Sequence, residues 1–141
     1  MNPKISQLLA ERRIVPVRRD RKTVLKEIHG ADYDLDKART SLEENDPKWA
    51  TVKAYYAIFH AARALLLSAG YREKSHRALL VSVRELYRDR MDPGHLRAFE
   101  EGMDLREEAD YSMIYAEDTA LELIERAEAF LMAVKTILRM L

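Results

Sequence analysis

Lys53, Tyr56, His60 and Arg63 fall three or four residues apart, so a helix would carry all four along one edge. Beside that edge runs an apolar stripe of Val52, Tyr55, Phe59, Ala62 and Leu66. A His and an Arg within one helical turn can hold an anion or a carboxylate. The plainer assignment is a hydrogen-bonded His60 at the core boundary, with Arg63 paired to an acidic neighbour. His76 follows Ser75 in what reads as the first turn of a helix, where backbone N–H groups lack partners and favour anions. Arg72, Lys74 and Arg77 surround it, so a phosphate contact is conceivable; a solvated helix start is the plainer alternative. Arg106 and Asp110 stand one turn apart, as do Glu107 and Tyr111. An intrahelical ion pair there is worth only ~0.3–0.5 kcal/mol. Leu105, Ala109 and Tyr111 make the same turn partly apolar, which points to an interface or a site.

Several chemistries lack their usual signatures. The chain has no Gly-rich phosphate loop, no His-Glu-x-x-His helix and no nucleophile elbow. His29, His60, His76 and His95 are too scattered to argue a metal site from spacing, and there is no Cys for a thiolate site or a disulfide. Neither a metal nor a cofactor is expected.

The elements that must position these residues read as helices. Residues 3–12 form a short helix with Ile5, Leu8 and Leu9 on one face, and Ile14-Val15-Pro16-Val17 follows as an extended connector. Asp20 can cap a helix that runs to about Glu44, with Val24, Ile28, Ala31, Leu35, Ala38 and Leu42 on one face. Gly30 lies inside it and weakens it slightly. Asp46-Pro47 pairs an N-cap acceptor with Pro at the first helical position, and Gly70 is a natural stop. Ser75 can cap the next helix, to about Arg90, and Asp92-Pro93 repeats the start signal for one reaching about Tyr111. Glu117 or Asp118 opens the last helix, which continues to the C-terminus. Its spacing of Ile124, Ala127, Leu131, Val134 and Leu138, with Leu123, Phe130 and Ile137 beside them, predicts burial on a wide arc. Ile28, Leu35, Tyr55, Phe59, Leu66, Ile124, Leu131 and Leu138 should pack together. Short connections between long helices favour an all-α, four- to five-helix up-and-down bundle.

The 141 residues suit one domain, residues 1–141, with the bundle over 20–141. No apolar run approaches the ~18 residues of a membrane span. The N-terminus and the absence of Cys suit a cytoplasmic protein. The net charge of zero hides segregation. Arg12, Arg13, Arg18, Arg19, Arg21 and Lys22 make one basic stretch, residues 72–97 a second, and residues 98–128 are strongly acidic. These regions can pair within the fold or across a dimer, or the basic ones can face a polyanion such as RNA or a nucleotide.

Three stretches together resemble the HEPN superfamily, the small helical domains of higher eukaryotes and prokaryotes linked to nucleotide binding, and most closely a prokaryotic branch. They are the Tyr-Tyr-Ala-x-Phe-His-Ala-Ala-Arg-Ala-Leu-Leu helix at residues 55–66, Gly70-Tyr71 with Ser75-His76, and the Arg-x-x-Ala-Asp-Tyr element at residues 106–111. The resemblance covers residues 20–141. It implies an up-and-down bundle, usually dimeric, and a minimal nucleotidyltransferase as frequent partner. Many HEPN proteins are metal-independent RNase toxins whose motif is Arg, four to six residues, then His. Arg106 matches the motif Arg, whereas Tyr111 stands where the His is expected and no His follows His95. The Tyr that is adenylylated in some of these toxins, two residues past the motif His, corresponds to Met113.

The resemblance thus implies a homodimeric HEPN partner of a minimal nucleotidyltransferase in a toxin–antitoxin-like pair, acting as a nucleotide- or partner-binding subunit. The missing motif His favours this reading. The alternatives are an RNase toxin with a degenerate motif at Arg106 and Tyr111, for which the basic stretches speak, and a structural assembly subunit. Candidate ligand or interface residues are Tyr56, His60, Arg63, His76 and Asp110.

Overall fold

A computed structural model describes residues 2–111 and 116–139, without the side chains of Asp110 and Tyr111. Its elements run α1 (Pro3–Ala10), β1 (Ile14–Pro16), α2 (Arg21–Glu43), α3 (Pro47–Ser68), β2 (Tyr71–Glu73), α4 (His76–Tyr87), α5 (Pro93–Tyr111) and α6 (Glu117–Leu138). The start signals read from the sequence act as caps. Asp20 accepts from the Lys22 N–H, Asp46 from Trp49 and Ser75 from Ala78, while Asp92 Oδ1 accepts from the Gly94 N–H. Each satisfies a backbone donor that the helix cannot. Gly70 follows α3 at φ 93°, a backbone state that side chains resist.

α3 is the centre of the all-α bundle and touches α2, α4, α5, α6 and β2. Its composition explains the place: Ala54, Ala57, Ala61, Ala62 and Ala64 let neighbouring helices approach from several sides, and all five are buried. The expected core packs as one cluster, with Leu138, near the end of α6, only partly buried at its edge. The wide arc of α6 is confirmed by buried Leu123, Ile124, Ala127, Phe130, Leu131 and Val134. Gly102 of α5 sits where an added Cβ would lie 3.3 Å from Tyr55 Cδ1 and 3.5 Å from Leu123 Cδ1. Its missing side chain lets α5 lie close on α3, one turn before Arg106.

One expectation changes. The stretch read as an extended connector is a strand: β1 pairs antiparallel with β2, Ile14 facing Glu73, Val15 facing Arg72 and Pro16 facing Tyr71. Two further backbone bonds, Val17 N–H to Gly70 O and Lys74 N–H to Arg13 O, extend the ribbon. Three-residue strands are too short to show alternation, and the partner lies far along the chain. The ribbon matters for the site because it fixes Glu73, whose side chain is buried, against α3.

The segregated charges pair between elements in several places. Arg77 and Arg84 of α4 reach Glu100 of α5, Arg126 of α6 reaches Glu101, Arg39 reaches Glu128, and Lys135 reaches Asp32. Most are exposed, so each adds at most ~1 kcal/mol.

Candidate functional site

The candidate residues separate into two adjoining groups. The first is a ladder of rings along the open edge of α3. The His76 ring, in the first turn of α4, stacks on Phe59 with centroids 4.3 Å apart and planes 19° off parallel. It lies 5.7 Å from the Tyr55 ring, at 18°, and meets Tyr56 edge-on at 6.2 Å. The buried Tyr55 hydroxyl is 2.6 Å from His76 Nδ1. Arg106 brings its guanidinium from α5 over the Tyr56 ring, 5.7 Å from the centroid. Tyr56, His76 and Arg106 are half-buried and so reachable from solvent. Burial first, then the charges of Arg106 and Arg63, push the His76 imidazole below its ordinary value against the pull of Glu73. The ring is therefore neutral near pH 7, beside a guanidinium.

The second group is a carboxylate-rich knot behind the first. His60 Nδ1 lies 2.7 Å from Glu27 Oε2, and His60 Nε2 lies 3.3 Å from Asp34 Oδ2. Arg63 donates through Nε and Nη2 to Glu73 Oε2 at 2.8 and 2.6 Å, and its Nη1 is 3.5 Å from Glu27 Oε1. The plainer assignment of these two residues is thus the one seen: both cations hold carboxylates. The hydrogen bond with Asp34, then that with Glu27, raises His60 to about 9 despite burial. Burial pushes Glu27 up, but the His60 hydrogen bond and the Arg63 charge outweigh it and leave its carboxyl below the usual range. Gly30 now has a context: the His60 ring passes 3.5 Å from where its Cβ would be.

The knot has a consequence for pH. Because His60 has a folded-state value above the unfolded one near ~6.5, its stabilisation is fully present below about pH 6.5. It is lost as pH rises through about 9. After allowance for partial exposure, the loss should be roughly 2 kcal/mol. Denaturant titrations at pH 6 and 9.5 should show it, and His60→Gln should remove most of the pH difference.

Arg106, Tyr56 and His76 therefore come together, and Arg63 stands beside them with its guanidinium over Phe59, 4.5 Å from the ring centroid. Asp110 and Tyr111 close α5, but their side chains lie outside the described residues, as does Met113. Sequence reasoning took Tyr55 and Phe59 as core alone, and did not single out Glu27, Asp34 or Glu73. A Tyr inside an otherwise Ala- and Leu-rich helix was the available signal for Tyr55, because a buried hydroxyl demands a partner.

Comparison with known proteins bears on this architecture. A family model described as the HEPN domain matches residues 26–137. The chain belongs to the HEPN family. The match includes α3, α4 and α5, hence every residue of the ring ladder. This HEPN chain is 37% identical over 86 residues to a "UPF0332 protein" of Archaeoglobus fulgidus, covering 58% of the chain and 68% of that relative. It is 32% identical over 115 residues to "Putative toxin MJ0605" of Methanocaldococcus jannaschii, covering 77% of the chain and 84% of that relative. None of the described helices of the HEPN chain is long and apolar enough to cross a membrane.

Proposed function

We propose that this HEPN protein is a cytoplasmic, homodimeric binding subunit that takes a phosphate of a nucleotide or an RNA segment between Arg106 and His76. Its partner is a minimal nucleotidyltransferase in a toxin–antitoxin-like pair. The observation that carries the ligand reading is the seat of Arg106 over Tyr56 beside His76, on a half-buried edge. A guanidinium over an aromatic face is held in place by that face, and its planar fork suits an oxyanion. Tyr56 adds a ring on which a base can stack. The relative from Methanocaldococcus jannaschii, whose name carries the word toxin, supports the toxin side of this reading.

Calorimetric titration with AMP and with a short oligouridylate tests the reading. Arg106→Ala should weaken binding about tenfold or more, as loss of a charged hydrogen bond does. Affinity should also fall between low and physiological salt, since the guanidinium–phosphate attraction is screened. Unchanged affinity in the well-folded Arg106→Ala variant would overturn the assignment.

A further inference from the structure

The face where α2 and α6 lie side by side takes no part in the ring ladder. The two helices run antiparallel there, since Lys135 reaches Asp32 and Glu128 reaches Arg39. Between the end of α2 and the start of α6 lies a groove of 400 Å³. Ile124 is buried at its base, Leu42 is half-buried, and Leu121 is 46% exposed. Leu121, Glu125, Glu128 and Met132 follow one another at intervals of four, three and four, so they share one face of α6, and all four are exposed. Among the described residues four large apolar side chains are exposed, Tyr33, Trp49, Leu121 and Met132. Two of them stand on this stripe, which marks it as a surface with something to cover it rather than as scattered exposure.

The rim of the groove is acidic. Glu43, Glu125 and Glu128 stand against one cation, Arg39, which is already held by Glu128 at 2.7 Å and by Asp36 at 3.4 Å. Among the described residues Glu43 and Glu125 form no ion pair, and both are exposed. These charges disfavour several occupants. Phosphates of a nucleic acid or of an anionic membrane would meet carboxylates of their own sign. A second copy docked about a two-fold axis through the groove would set the same three carboxylates against themselves. Length disfavours a small molecule: Leu121 and Met132 are eleven residues apart, about 16 Å along the axis, or roughly three turns of a helix laid beside them.

We propose that the α2–α6 face docks a basic amphipathic helix of a partner protein. The apolar residues of that helix, three and four apart, lie along the groove against Leu42 and Leu121 and reach Met132. Its Lys and Arg side chains meet Glu43 and Glu125 at the rim. Apolar contact supplies most of the affinity, while the carboxylates select basic partners and speed their association. The phosphate seat lies on α3, α4 and α5, so either assignment can fail without the other.

The probe is a synthetic peptide of about 18 residues, roughly five helical turns, with Leu on one face and Lys and Arg on the other. One control peptide has the same composition in scrambled order, and a second carries Glu in place of Lys and Arg. Fluorescence anisotropy at physiological salt should show the basic amphipathic peptide binding about tenfold more tightly than either control. Leu121→Asp and Met132→Asp should each weaken it about tenfold, and Glu43→Lys combined with Glu125→Lys at least as much. All four side chains are exposed, so the variants should keep the wild-type thermal midpoint. Equal binding of the scrambled or the acidic peptide, no binding of the basic one, or unchanged affinity in both Leu121→Asp and Met132→Asp would overturn the proposal. So would a fall from dimer to monomer mass in Leu121→Asp by light scattering, which would place a second copy on this face.

Discussion

Replacing Arg63 by Met is expected to destabilise the fold by about 3–5 kcal/mol, the cost of stranding a buried charge. Glu73 has a side chain only 4% exposed, and its Oε2 accepts two hydrogen bonds from Arg63. Among the described residues its Oε1 has no hydrogen-bond partner, so little else compensates the carboxylate. Glu27 loses a second contact at the same time. The ribbon that carries Glu73 would have to move outward or the carboxyl take up a proton. The double substitution Arg63→Met with Glu73→Met removes both charges and should recover much of the loss, because a desolvated ion pair is worth little against apolar contacts. Urea unfolding of the two variants and the wild type measures this directly. A neutral single substitution would show that Glu73 finds water or another donor.

Truncating Leu131 to Ala should cost about 2–5 kcal/mol, the range for deleting a buried Leu. Leu131 is 3% exposed and belongs to the core formed where α6 meets α3. Phe130, next to it in the chain, is also fully buried, and in a close-packed core the cavity would close only in part. Met132, next in the chain and 51% exposed, serves as the control: Met132→Ala should change stability by less than about 0.5 kcal/mol. Equal effects of the two substitutions would mean that the face of α6 is assigned wrongly.

The contrast between Leu131 and Met132 shows which parts of the molecule were legible in the sequence. Helix faces repeat locally, and caps such as Asp46 before Pro47 act within four residues, so their physics is contained in a short window. The β1–β2 ribbon is different: Ile14 meets Glu73 across the whole of α2 and α3, and three residues cannot advertise that pairing. The site divides in the same manner. Arg106, His76 and Tyr56 stood out by residue type and by their resemblance to HEPN stretches. Tyr55 did not, because it lies on the apolar stripe and its hydroxyl finds a partner 21 residues away, beyond a helix break. The carboxylates that occupy His60 and Arg63 come from α2 and β2, and their contacts depend on how α2 and the ribbon pack against α3. Gly102 drew no notice in the sequence, because the close approach of α5 to Tyr55 and Leu123 at that position depends on packing between helices.

A basic cleft elsewhere competes with this account. Arg19 and Arg21 line a cavity of 260 Å³ with Asp20, Val24, Ser68 and Leu138. Arg19 is occupied there in part, donating to the Ala69 carbonyl at 3.2 Å. Chemical-shift mapping of the ¹⁵N-labelled protein during titration with a hydroxyl-ended oligouridylate separates the two locations. The account predicts that the largest shifts fall on Tyr56, His76 and Arg106 and disappear in Arg106→Ala. Shifts confined to the surroundings of Arg19 and Arg21, with Tyr56, His76 and Arg106 unmoved, would contradict it.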